Sequence, residues 1–78
     1  MVEKEYTLSK VAFDKKVRKY VDSVEVRTMA NEGEYDFMIG VKDNGTIDCF
    51  PCGKEQVTVR GYFLPKDIST KLSELAKN

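Results

Sequence analysis

The spacing of apolar positions changes along the chain, and each change marks an element. From Phe13 onward, Val17, Tyr20, Val21 and Val24 recur at intervals of three and four, with Lys15, Lys16, Arg18, Lys19 and Asp22 between them. That period predicts an amphipathic helix over residues 10–22. Ser9 suits the N-cap, because its hydroxyl can accept from a first-turn amide that has no helical partner. Leu8 and Phe13 then stand at the spacing of a hydrophobic staple. The box is incomplete, since Ala12 has no carboxylate to return the bond. The valines, poor helix formers in isolation, imply a helix held by packing.

The period then falls to two. Val24, Val26 and Thr28 alternate with Glu25, Arg27 and Met29, which predicts a strand over 24–29. Ala30-Asn31-Glu32-Gly33 offers turn chemistry, with Gly33 free to take positive φ. Tyr35, Phe37, Ile39 and Val41 form the strongest strand pattern and stop at Asp43-Asn44-Gly45. A three-residue turn there, with Gly45 at a left-handed bulge, pairs Lys42 with Thr46, Val41 with Ile47 and Ile39 with Cys49. It keeps the apolar sets on one face, whereas a two-residue loop reverses one of them. The strand from Thr46 to Phe50 ends at Pro51, which has no ladder donor. Val57, Val59, Gly61 and Phe63 define a fourth strand, with Phe63 as its core aromatic and Gly61 marking a bend, a bulge or a close neighbour. Pro65 and Asp67 suit a helix start, and Ile68, Leu72, Leu75 and Ala76 make the stripe of a helix ending near Lys77. Tyr6 and Leu8 alternate weakly, enough to permit a brief edge strand that this count leaves out. The expected fold is α+β, one small domain over residues 1–78. A four-stranded antiparallel sheet carries an N-terminal and a C-terminal helix on one face, in the order α-β-β-β-β-α.

Composition narrows the chemistry. The 78 residues include 13 basic and 13 acidic side chains, two cysteines and no histidine. Without histidine the Ser-His-Asp, Cys-His and H-E-x-x-H arrangements are excluded. A core of this size can hardly enclose a substrate pocket, so no enzyme and no cofactor is expected. No apolar run reaches the 18 or so residues of a membrane span, and Glu3, Lys4, Glu5 and Lys10 break any signal-peptide core. A cytoplasmic protein without a membrane partner is the expectation. Neutrality hides a layout: Lys10, Lys15, Lys16, Arg18 and Lys19 stand against Asp14 alone, and Asp22, Glu25, Glu32, Glu34 and Asp36 follow against Arg27 alone. Such a layout gives either a molecule with two charged faces or internal pairing between neighbouring elements.

Four groups of residues could carry function. Cys49-Phe50-Pro51-Cys52-Gly53 resembles one half of a zinc-ribbon site, which implies Cys49 and Cys52 as metal ligands. The chain lacks a second pair, so a carboxylate such as Asp48 or a second copy would have to complete the site. Dithiol–disulfide exchange needs a helix start beside the pair, and a strand pattern stands there instead. Lys10, Lys15, Lys16, Arg18 and Lys19 could touch phosphate oxygens in a nucleic acid, although the chain's neutrality gives little counterion release. Arg60-Gly61-Tyr62-Phe63 resembles part of an RNA-recognition-motif strand, but Leu64-Pro65 and the order of elements depart from that family. Last, Met29, Met38, Phe50 and Tyr62 fall on the sheet face opposite the helices, with Glu34 and Asp36 beside them. An open apolar row of this kind marks a partner surface. The expected function is therefore that of a small non-enzymatic interaction or regulatory protein, an inhibitor among the options. It would bind a protein partner or form a homodimer through a sheet face or edge, with nucleic-acid binding and a metal-stabilised module as alternatives.

Overall fold

The computed structural model describes residues 3–24 and 27–77. Strand β1 (Lys4–Ser9) leads into helix α1 (residues 10–24), followed by β2 (Arg27–Gly33), β3 (Asp36–Gly40), β4 (Thr46–Pro51), β5 (Gln56–Tyr62) and helix α2 (Lys66–Ala76). The sheet is antiparallel in the order β1-β5-β4-β3-β2. It has five strands, not four, and begins with a strand rather than a helix. The missed strand, β1, sets Tyr6 opposite Val59 and Leu8 opposite Val57. Its partner lies at the far end of the sequence, so no turn announces the pairing.

Ser9 ends β1 and caps α1, its Oγ accepting from the Ala12 amide at 3.1 Å. Leu8 and Phe13 are both buried, as the staple spacing requires. Through Phe13–Val17 the helix widens into a π turn, in which the Arg18 amide donates to the Phe13 carbonyl. The wider turn sets Arg18 above Phe13, and the guanidinium rests 5.0 Å from that ring's centroid.

The helix continues to Val24, and β2 begins at Arg27. The expected strand over 24–29 therefore starts late; its Glu25 and Val26 lie outside the described residues. The expected turn at 30–33 belongs to β2, where two register shifts, between Thr28 and Ala30 and between Asn31 and Gly33, absorb the turn-forming residues. Asn31 Oδ1 accepts from the Gly33 amide at 3.2 Å within the second bulge. The chain reverses instead at Glu34 and Tyr35. Tyr35 leaves the strand because its ring meets Phe13 edge-on at 5.9 Å and its hydroxyl donates to Asp14 Oδ2 at 2.8 Å.

Between β3 and β4 the pairing is Gly40 with Thr46, Ile39 with Ile47 and Phe37 with Cys49. This differs by two residues from the expected register, and a slip of two leaves every side chain on its face. The connection spans residues 41–45, closed by the Val41 amide donating to the Gly45 carbonyl at 2.9 Å. Asp43 and Asn44 take the left-handed conformation (φ 60° and 63°), while Gly45 has φ −72°. Gly45 serves another purpose: a Cβ there would lie 2.8 Å from Val41 Cγ2 and 3.0 Å from the Phe63 carbonyl oxygen.

The end of β5 corrects a second expectation. Phe63 is 63% exposed with φ 53°, because the strand stops at Tyr62. Leu64 folds back over Gly61, where any Cβ would overlap its side chain. The apolar core is thus Leu8, Phe13, Val17, Val21, Ile39, Val41, Ile47, Cys49, Val57, Val59, Ile68 and Leu72. Both helices supply it from one side of the sheet, with Leu75 and Ala76 packed at its margin.

Candidate interaction surface

Alternation along the strands sends Glu5, Thr7, Thr58, Arg60, Tyr62, Thr46, Asp48, Phe50, Asp36 and Met38 to the face away from the core. Pairing lines them up in rows. One row runs Glu5, Arg60, Asp48, Met38 and Ala30 across all five strands; the next runs Thr7, Thr58 and Phe50; Tyr62 stands beside Thr46. Met38, Phe50 and Tyr62 are half-buried. They are not contiguous, because Asp48, Thr46 and Arg60 stand between them.

Arg60 organises this face. Its guanidinium lies 4.8 Å from the Phe50 ring centroid, a geometry in which the ring's negative face attracts the cation. Its Nε is 3.3 Å from Glu5 Oε1, close enough for an ion pair but misaligned, so the buried Nε–H has no hydrogen-bond acceptor among the described residues. Burial holds the Asp48 carboxyl above its ordinary value; Arg60 opposes that shift and Asp36 adds to it. Thr58 is only 3% exposed although no helix covers it. Its neighbours close over it, and its hydroxyl meets that of Thr7 at 3.3 Å.

The remaining sequence-derived candidates disperse. Met29 lies at the first bulge of edge strand β2, 49% exposed. Glu34 sits in the β2–β3 turn, where its carbonyl accepts from Arg18 Nη2 at 2.6 Å. Asp36 starts β3 on the open face. Of the basic residues, Lys10 Nζ lies 5.0 Å from the Tyr35 ring centroid, and Lys16 Nζ donates to the Lys77 carbonyl at 3.2 Å. Arg18 pairs with Asp14 at 3.2 Å besides its bond to Glu34. Lys15 and Lys19 are exposed and form no ion pair among the described residues. The charged layout of the sequence is thus partly answered within the fold, where α1 meets the β2–β3 turn.

Cys49 and Cys52 are both free thiols in unlike places. Cys49 lies on the inner face between Phe37 and Val59, and burial pushes its pKa up to about 12. Cys52 is exposed in the β4–β5 loop, its amide donating to the Gln56 carbonyl at 2.8 Å. A metal ligand must be a thiolate, and Cys49 would have to leave the core to become one. Among the described residues no three Cys, Asp or Glu side chains gather into a metal-binding group. No described helix is long and apolar enough to cross a membrane.

The face itself was legible in the alternation of Met38, Phe50 and Tyr62. Glu5 was missed because β1 was not counted as a strand, and Arg60, noted only within Arg60-Gly61-Tyr62-Phe63, lacked its Glu5 partner for the same reason. No protein-family model matches the chain, and no curated protein or solved structure matches it.

Proposed function

We propose that this chain is a small, cytoplasmic, non-enzymatic interaction or regulatory protein that binds a protein partner, or a second copy of itself, through the helix-free face of its sheet. One observation carries the reading. Both helices pack on the same side, and the opposite face of the five strands presents Met38, Phe50 and Tyr62 around the Glu5–Arg60–Asp48 row. Half-buried apolar side chains set among fixed charges supply area for affinity and charge for register. The same face suits a polyanion less, because among the side chains described on it Glu5, Asp36 and Asp48 outnumber Arg60.

Sedimentation velocity over a concentration series, with and without Met38→Asp and Tyr62→Asp, tests self-association through this face. A photocrosslinking residue in place of Phe50 tests a partner in the cell. The reading requires either association that both substitutions abolish or a covalent adduct that Tyr62→Asp removes. A wild-type monomer that yields no such adduct ends it.

A further inference from the structure

The inner face of the sheet is filled unevenly. β1, β3, β4 and β5 send large apolar side chains toward the helices, whereas β2 sets Asn31 opposite Phe37 and then ends at Gly33. The shortfall leaves a groove of about 530 Å³ between α1 and the β2–β3 hairpin, floored by Val21, Phe37 and Ile39 and rimmed by Arg18, Asp22 and Glu34. That volume falls within the roughly 300–1,000 Å³ of ligand-sized clefts. Arg18 is already engaged by Asp14, by the Glu34 carbonyl and by the rings of Phe13 and Tyr35. Among the described side chains, the carboxylates of Asp22 and Glu34 have no cationic partner. Glu32 and Asp36 lie on the same hairpin, against Arg27 alone, and leave it net negative.

We propose that this groove binds an extended peptide segment of a partner protein, seating one apolar side chain on Val21, Phe37 and Ile39 with a Lys or Arg beside it facing Asp22 and Glu34. The proposal rests on the reading of the chain as an interaction protein, but at a separate surface. Its occupant follows from charge: an apolar floor inside an acidic rim favours a cationic, amphipathic segment and repels a nucleic-acid backbone. The two bulges of β2 break the run of free donors and acceptors along its edge, so side chains, and not strand addition, carry recognition.

The test is selection of a random dodecapeptide phage library on the full chain, followed by anisotropy titration of the labelled consensus peptide. The expected consensus is an apolar residue flanked by Lys or Arg. Asp22→Lys with Glu34→Lys should weaken its binding about tenfold or more, and Asp22→Asn with Glu34→Gln by less. Both residues are exposed, and circular dichroism of the two variants should match wild type. In ¹H–¹⁵N spectra the peptide should move the amides of Val21, Gly33 and Phe37 and leave those of Phe50 and Tyr62 in place. Failure to enrich any motif, an acidic consensus, or an affinity indifferent to both pairs of substitutions overturns the proposal. Shifts confined to Phe50 and Tyr62 overturn it while supporting the open-face reading. A peptide seated in the groove of a chain whose association ignores Met38→Asp and Tyr62→Asp does the reverse. Self-association lost in the Asp22→Lys, Glu34→Lys variant assigns the groove to a second copy and removes the partner peptide.

Discussion

Cys49 can be used to measure how tightly the core is closed. Its side chain is buried between β3 and β5, its pKa is pushed up to about 12, and Cys52 on the same chain is exposed. At about pH 8 a thiol with that pKa is roughly one part in ten thousand thiolate, so alkylation of Cys49 must proceed through unfolding. For 78 residues the total stability is about 4–12 kcal/mol, which protects Cys49 by a factor of about a thousand or more. Phe13→Ala is the informative perturbation. Phe13 is fully buried, meets Tyr35 at 5.9 Å and Phe37 at 6.4 Å, and carries the Arg18 guanidinium over its ring. Truncating such a side chain costs about 3–5 kcal/mol, which corresponds to Cys49 labelling roughly 150- to 5,000-fold faster, with the wild-type protection factor as the ceiling, where opening and closing outpace the reagent. Ile47→Val, equally buried on β4, costs about 0.5–1.5 kcal/mol and should give roughly a two- to thirteenfold increase. The assay is iodoacetamide labelling followed by mass spectrometry of the two cysteine peptides, with Cys52 as the internal standard. Native Cys49 reacting as fast as Cys52, or Phe13→Ala accelerating it less than tenfold, would refute the account of a core closed by Phe13.

Three further outcomes follow from the packing and charges. Gly61→Ala should destabilise by about 1–3 kcal/mol in urea unfolding because of overlap with Leu64, and most of that cost should vanish in a Leu64→Ala background; full additivity would contradict the contact. Ser9→Ala should cost about 1 kcal/mol through loss of the cap, and an unchanged urea midpoint would show that the Ala12 amide finds another acceptor. Asp48 has its pKa raised in the fold by burial, so the folded state binds its proton more tightly than the unfolded chain. Its charge therefore opposes stability above the folded pKa, and the penalty fades as pH falls through that value. Asp48→Asn should be at least as stable as wild type at about pH 7, with the difference vanishing near pH 3. An advantage that grows on acidification would reverse the assignment.

Much of the fold could be read from side-chain period because burial imposes it directly. Phe13, Val17 and Val21 declared α1, and Phe37, Ile39, Ile47 and Cys49 declared two strands and their shared face. The β3–β4 register was off by two because the sequence specifies facing, which a two-residue slip preserves, more strongly than the length of the loop. The turn residues at 30–33 misled because bulges use the same chemistry as turns, and only the pairing partner separates the two. Phe63 was expected inside because alternation cannot foresee that Leu64 would take the place over Gly61. The open face was visible in Met38, Phe50 and Tyr62. The groove was not, since a hollow arises from what Asn31 and Gly33 fail to fill.

The pairing of β1 with β5 also governs how the chain can reach this structure. The β2–β5 meander forms from neighbours, with each strand joined to the next by a short connection. β1 joins through contacts between residues as far apart as Lys4 and Gly61. Such contacts raise the contact order and form at a large entropic cost in loop closure. Ser9 belongs to both this strand and the cap of α1, so the pairing that closes the longest loop of the sheet also holds the start of the helix.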